Sequence, residues 1–278
     1  MATERVLVTG AAGRIGTMLR PRLAKPGRVL RLLDVAPLEP AGQDEEAVVA
    51  SITDLSALEE ACAGIDAVVH LAGRSGESTW DEISALNING TYNVLEAARR
   101  QGVRRVVFAS SNHAVGFHPR DGDEAPDYLF PAPDTYYGVS KAAGEALGAL
   151  YHHRYGLDVV CLRILTCAER PTDPRALATW LSPGDAARLV EASLTAPSPG
   201  FRVAWGVSDN TRGWFSQREA RALGYEPSDD AEAYAAELTA QFGEPDLALA
   251  DHAFVGGPFT TSVYDADRQI ADRQISEA

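Results

Sequence analysis

Residues 5–34 constrain the fold more than any other stretch of the chain. Arg5-Val6-Leu7-Val8-Thr9 reads as a short buried strand and runs directly into Gly10-Ala11-Ala12-Gly13-Arg14-Ile15-Gly16. Apolar residues then recur at helical spacing through Met18, Leu19 and Leu23, and a second apolar strand, Val29-Leu30-Arg31-Leu32-Leu33, ends on Asp34. Glycines at a strand-to-helix turn let backbone N–H groups approach a pyrophosphate at the positive end of the helix. An acid closing the second strand accepts hydrogen bonds from a ribose diol and repels a 2′-phosphate. The unit points to a nicotinamide dinucleotide, NAD rather than NADP, held by Gly10, Gly13, Arg14, Ile15, Gly16 and Asp34. Arg14 and Arg31 are the cations that argue the other way. The Gly-x-x-Gly-x-x-Gly spacing is one residue longer at its first step than the common fingerprint.

Strands and helices alternate from this unit up to position 165. Residues 47–50, 66–71, 105–110 and 158–165 read as further strands, and 58–62, 81–101 and 137–155 as helices. Near-continuous apolar strands separated by helices predict an α/β fold: a Rossmann-like doubly wound parallel sheet covered on both faces. From residue 166 the pattern loosens. Residues 169–185, with Pro171, Pro174 and Pro183, read as a loop, residues 201–207 as one more strand and a candidate to rejoin the main sheet, and 267–278 as a polar tail. The expected division is an NAD-binding domain over 1–165 and a small, interleaved C-terminal substrate-binding region over 166–278.

The 278 residues include 25 basic and 39 acidic side chains, a formal charge of −14, with 45% hydrophobic and 8% aromatic residues. Such a chain can bury a substantial core. Its charge argues against nucleic acid and anionic membranes as partners, and an anionic small molecule would need a local basic anchor. Cys62, Cys161 and Cys167 show neither metal-ligand spacing nor a paired framework, so no metal and a reducing, cytoplasmic setting are expected. No apolar run approaches the roughly 18 residues of a membrane span. A first strand starting near residue 5 leaves no room for a signal peptide.

The chemistry-bearing cluster is Ser111, Tyr137 and Lys141. Ser111 follows the fifth strand, at the carboxyl end of the sheet where open α/β folds bind ligands. Tyr137 and Lys141 are four residues apart at the start of a helix and share one face. A tyrosine that deprotonates an alcohol near neutrality needs a phenol acidified from about 10. An ammonium about 4 Å away supplies about 4 kcal/mol at an effective dielectric near 20, or about three pKa units. Taken alone, a Tyr-x-x-x-Lys spacing is an ordinary exposed aromatic and a solvated charge; the upstream glycine turn and serine make it a catalytic pattern.

Gly10/Gly13/Gly16, Asp54-Leu55, Leu71-Ala72-Gly73, Asn87-Ile88-Asn89-Gly90-Thr91, Ser111 and Tyr137-Gly-Val-Ser-Lys141 together resemble the extended short-chain dehydrogenase/reductase superfamily over positions 1–165. Phe108-Ala-Ser-Ser-Asn-His113, Ala178-Thr-Trp-Leu-Ser182 and Val203-Ala-Trp-Gly206 extend a closer likeness, to bacterial uronate dehydrogenases, over nearly the whole chain. Those enzymes oxidise the anomeric carbon of glucuronate or galacturonate with NAD to an aldarolactone. The resemblance implies Tyr137 as general base, Lys141 as its acidifying partner and ribose ligand, and Ser111 at the reacting oxygen. It further implies Ser75, Asn112, His113 and Thr166 at the sugar and Arg175 at its carboxylate. Asp54, Leu55, Leu71, Ala72, Gly73, Asn87 and Cys167 would join the NAD site. Thr166-Cys167 stands where Ser-Cys is expected. Superfamily likeness also implies a homo-oligomer paired through helices 81–101 and 137–155.

Arg175 has a separate warrant, because a guanidinium matches a carboxylate in bidentate geometry and a strongly acidic protein needs such a cation for a sugar acid. His118, His152 and His153 lack companion ligands and read as structural; Trp180, Trp205 and Trp214 serve a sugar wall or the core equally well. Two other functions compete with a hexuronate dehydrogenase. One is a nucleotide-sugar epimerase or dehydratase, for which the stretch after Lys141, positions 142–278, leaves little room for a nucleotide-binding domain. The other is a non-catalytic NAD-binding regulator, a class that commonly lacks the tyrosine or lysine present here.

Overall fold

Successive residues of a strand point to opposite faces, and the central strands of this chain are apolar on both. In β1 (Glu4–Thr9), Val6 and Val8 enter one core and Leu7 the other. In β5 (Arg105–Ser111), Val107 enters the first core, Val106 and Phe108 the second. The result, in the computed structural model, is a seven-stranded sheet whose pairings are all parallel. The model describes residues 3–261 apart from 39–41, 43 and 123, so the tail over 267–278 lies outside the described residues. The other strands are β2 (Arg28–Asp34), β3 (Glu45–Val49), β4 (Ala67–His70), β6 (Asp158–Ile164) and β9 (Phe201–Gly206), and the order is β3-β2-β1-β4-β5-β6-β9. The order reverses between β1 and β4, which opens a crevice at the carboxyl ends of the strands. The strand read over 201–207 thus closes the main sheet, paired with β6.

Two readings of the sequence need correction. The helix expected over 81–101 is three segments: α3 (Trp80–Ile83), a π-helical turn over Ser84–Asn89, and α4 (Gly90–Arg100). The wide turn carries Asn87 into the interior, which period-3.6 reasoning does not anticipate. The loop expected over 169–185 holds α6 (Ala176–Thr179), the two-residue strand β8 (Trp180–Leu181) paired with β7 (Thr166–Cys167), and the start of α7 (Pro183–Thr195). Pro183 begins a helix because the first helical N–H has no intrahelical partner to lose, and the Ser182 hydroxyl caps the turn by accepting from Asp185 N at 2.8 Å. α7 lies against α1 (Arg14–Leu23), and Arg28, its side chain fully buried, bridges Glu4 and Glu191 between sheet and helix.

Helix α5 (Tyr136–Tyr155) carries the expected tyrosine and lysine. It is capped by Thr135, whose hydroxyl accepts from Gly138 N at 3.0 Å, and ends at Gly156 with φ +77°. Gly144 lets it lie close on the sheet: a Cβ there would stand 2.4 Å from the Phe108 ring. Below this contact, Glu145 accepts from Ser110 Oγ (2.7 Å), Arg163 Nε (2.9 Å) and Arg163 Nη2 (2.8 Å), joining α5 to β5 and β6. Removing one partner of such a buried pair costs about 3–5 kcal/mol. Glu145→Gln is therefore expected to lower the urea midpoint by that equivalent at an unchanged m-value; an unshifted midpoint would mean that the pair does not stabilise the fold.

Candidate active site

At the β1–β2–β4 end of the crevice a cavity of about 380 Å³ is lined by Gly10, Gly13, Arg14, Ile15, Gly16, Asp34, Leu71, Ala72, Gly73 and Ser75. Gly10 has φ +73°, and a Cβ on it would sit 2.7 Å from the backbone of Ala72; one on Gly16 would sit 2.4 Å from Gly10 O. The strand-to-helix turn is thus closed to side chains and open to a ligand, with the free N–H groups of α1 facing the cavity, which is the cradle a dinucleotide pyrophosphate fits. Asp34 accepts from Ala12 N and Ala36 N, both at 3.0 Å, which fixes its carboxylate beside the turn. Of the two cations that argued for a 2′-phosphate, Arg14 lines the same cavity as Asp34, and Arg31 is directed elsewhere. Arg31 binds Glu46 and the carbonyls of Ala61 and Ala63, and the charge of Arg14 is felt by Tyr137.

Other residues expected at the cofactor stand behind this wall. Asn87 brackets the loop after β4: its Oδ1 accepts from Arg74 N (2.7 Å) and its Nδ2 donates to Arg74 O and Ser140 Oγ (each 3.0 Å). Asp54 caps α2 (Leu55–Cys62) by accepting from Ala57 N at 3.0 Å, and Leu55 packs on the second core. Cys167 is buried in the first core, where desolvation pushes its thiol up to about 11. Ser75 lines the cofactor cavity rather than the second one described below.

At the carboxyl end of β5 the structure brings Ser111, Tyr137 and Lys141 together. The Ser111 hydroxyl favours the charged form of Tyr137, whose backbone N–H donates to Glu77 at 2.9 Å. Lys141 donates to Ala109 O at 2.7 Å, and its Nζ stands 5.0 Å from the Phe108 ring centre and 5.4 Å from that of Tyr137. Here the electrostatics differ from the sequence argument. Burial pushes the Tyr137 phenol above its ordinary value; Ser111 and Arg14 oppose the rise, and Asp134 adds to it. Burial also pulls the Lys141 ammonium down to about 8. With both groups desolvated, the ammonium faces rings and a carbonyl instead of acidifying the phenol by the expected three units or so.

A second cavity, about 420 Å³, adjoins this cluster and is lined by Asn112, His113, Thr166 and Arg175, together with Gly256 and Phe259. Thr166 shares a hydrogen bond with Thr179 (2.8 Å). Val255 O accepts from both Asn112 Nδ2 (2.9 Å) and Arg175 Nη2 (2.6 Å). The segment carrying it pairs with residues 116–120, through Val255 N to His118 O (3.0 Å) and Gly256 N to Gly116 O (2.9 Å). Among the described residues Arg175 makes only this one hydrogen bond of the five its guanidinium offers, and burial pulls its pKa below the ordinary value. Trp205 and Trp214 are core residues, and Trp180 packs on Tyr234. Sequence reasoning missed Val255, Phe259, Asp134 and Glu77. The first two lie in a stretch without periodicity, and the two acids carry no local pattern that separates them from solvated ones.

A dinucleotide crevice beside a serine–tyrosine–lysine cluster defines an NAD-linked enzyme of the short-chain type. The chain belongs to the NAD dependent epimerase/dehydratase family, whose pattern matches residues 6–182. Its relatives include uronate dehydrogenases. That of Pseudomonas putida is 42% identical over 263 residues, covering 92% of this chain and 97% of the relative. The Agrobacterium tumefaciens uronate dehydrogenase, solved as a mutant complexed with NAD, is 41% identical with a TM-score of 0.88, covering 94% of this chain and 98% of that one. A glucuronic acid dehydrogenase from Chromohalobacter salexigens is 38% identical with a TM-score of 0.90, covering 95% and 98%.

Under the crevice His70 is buried between Thr9 Oγ1 (2.8 Å) and Thr91 Oγ1 (3.1 Å), and desolvation, aided by Lys141, takes it down to about 3. The unfolded chain then binds more protons between about pH 3 and the ordinary value near 6.5, so stability rises with pH across that window. The contribution is complete above about 6.5 and is lost as the pH falls toward 3. Urea midpoints taken at neutral and mildly acid pH should fall more steeply for the wild type than for His70→Asn; parallel slopes would refute the assignment.

Proposed function

We propose that the protein oxidises a hexuronate at C1 to the aldarolactone with NAD as acceptor. The observation that carries this reading is Arg175, a half-buried guanidinium lining the cavity beside Tyr137 that, among the described residues, uses only one of its five donors on a protein acceptor. Such a group calls for an anion, and a carboxylate matches its fork. Bound in the glycine cradle, NAD supplies the hydride acceptor. Gly10, Gly13 and Gly16 would hold its pyrophosphate, Asp34 its adenosine ribose and Lys141 its nicotinamide ribose. Ser111 orients the C1 hydroxyl, and Tyr137 accepts its proton as the phenolate, a form the free protein disfavours and the occupied site must supply. Arg175 anchors the carboxylate, and Asn112, His113 and Thr166 frame the ring, so that C1 is held rather than encountered.

Residues 1–165 on this reading hold the oxidant, and 166–278 add the sugar side. Tyr136 and Trp80, with rings 5.6 Å apart, and Tyr92 and Leu150 are all more than two-fifths exposed on α3, α4 and α5; this apolar face supports pairing of two copies. The three described cysteines are free and buried, which accords with a cytoplasmic setting.

NADH absorbance with glucuronate or galacturonate tests the reaction directly. Tyr137→Phe should lower kcat by about 10²- to 10⁴-fold at unchanged NAD affinity; wild-type turnover would end the assignment. Arg175→Ala should raise the uronate KM by about 10- to 100-fold, the worth of a charged hydrogen bond, and leave the NAD KM in place. An equal effect on both would move the carboxylate anchor elsewhere.

A further inference from the structure

His113 lines the sugar cavity, and its ring is held from behind by a carboxylate to which the proposed mechanism gives no part. His113 Nδ1 and Asp134 Oδ2 are 2.8 Å apart, and the Asp134 side chain is 0% exposed. Its other oxygen accepts from Thr135 Oγ1 at 3.1 Å. Among the described residues no lysine or arginine stands within ion-pair distance of Asp134, so His113 is its only such partner. Three glycines from three segments make the slot. A Cβ on Gly116 would lie 2.0 Å from the carboxylate, one on Gly256 1.9 Å and one on Gly138 3.1 Å. Phe259 stacks on the imidazole at 4.2 Å between centroids, and Tyr137 meets it edge-on at 5.8 Å.

An ionised carboxylate only accepts hydrogen bonds, so the nitrogen facing it must carry a proton. In the neutral ring that leaves Nε2 as an acceptor, and among the described residues Nε2 makes no hydrogen bond. Asp173, Asp251 and Thr166 line the cavity with acceptor oxygens, and His113 Nε2 is a further acceptor among its side chains. Arg175 can only donate, and both ends of the Asn112 amide are engaged, Oδ1 by Ser111 Oγ at 3.2 Å and Nδ2 by Val255 O at 2.9 Å. A buried sugar hydroxyl whose proton finds no acceptor is costly to bind.

We propose that Asp134 is a positioning residue for substrate specificity: seated in its glycine slot, it fixes His113 as the Nδ1–H tautomer, so that Nε2 accepts the proton of a ring hydroxyl of the sugar. This rests on the hexuronate reading for the identity of the ligand, whereas the tautomer itself does not depend on it.

The test joins spectroscopy to kinetics. In the free wild-type protein at about pH 8, side-chain ¹⁵N spectra should show His113 protonated at Nδ1 and bare at Nε2. A proton on Nε2 overturns the proposal, and this measurement stands even if a variant fails to fold. Asp134→Asn should lower kcat/KM for the uronate by about 10- to 100-fold, mainly through KM, with NAD affinity unchanged. In a His113→Ala background the same change should have no further effect. Wild-type kinetics for Asp134→Asn, a loss shared with NAD affinity, or a full additional loss in the His113→Ala background would each overturn it. A wild-type protein that oxidises no hexuronate overturns the reaction instead, and the nitrogen spectra then decide the dyad alone.

Discussion

The missing side chain at position 144 sets the distance between α5 and the sheet, and that distance places the catalytic groups. Because Phe108 occupies the space where a Cβ would stand, the helix descends onto β5 until Lys141 reaches the Ala109 carbonyl and Tyr137 reaches Ser111. The Glu145–Arg163 pair then pins the helix to β5 and β6. A thicker contact would lift tyrosine and lysine off the strand together, while the cofactor turn between β1 and α1 stayed as it is. The position of the base is therefore a packing property of the second core, settled by residues that take no part in chemistry.

That arrangement has an electrostatic consequence. Close packing brings the ammonium to the phenol and also removes water from both, and desolvation works against each charged form. In the free protein Tyr137 is consequently harder, not easier, to ionise than in water, and Lys141 is nearer to losing its proton. Two carboxylates near this point are paired locally, Glu145 with Arg163 and Asp134 with His113.

What can be read from the sequence is whatever depends on contiguous residues. The glycine turn, the acid at the end of β2, the strand alternation and the tyrosine–lysine spacing are each local, and each occupies the expected place in the fold. The setting of Asn87 is not legible in this way, because a π turn breaks the helical period and directs the side chain inward as a bracket on the 73–75 loop. Residues 169–185 mislead because Pro183 starts a helix as readily as it shapes a loop. Val255, Phe259 and Asp134 escape for another reason. Their roles arise from contacts across large separations in sequence, such as the 143 residues between Asn112 and Val255, and nothing in their own neighbourhoods marks them.

The shared carbonyl of Val255 joins parts of the molecule that its sheet does not. Asn112 and Arg175 come from different crossovers, yet one peptide unit near the end of the described chain holds both in register. The short strap around Val255 thus ties an amide of the stretch 1–165 to a guanidinium that lies beyond it. A shift of that one peptide would move both side chains together.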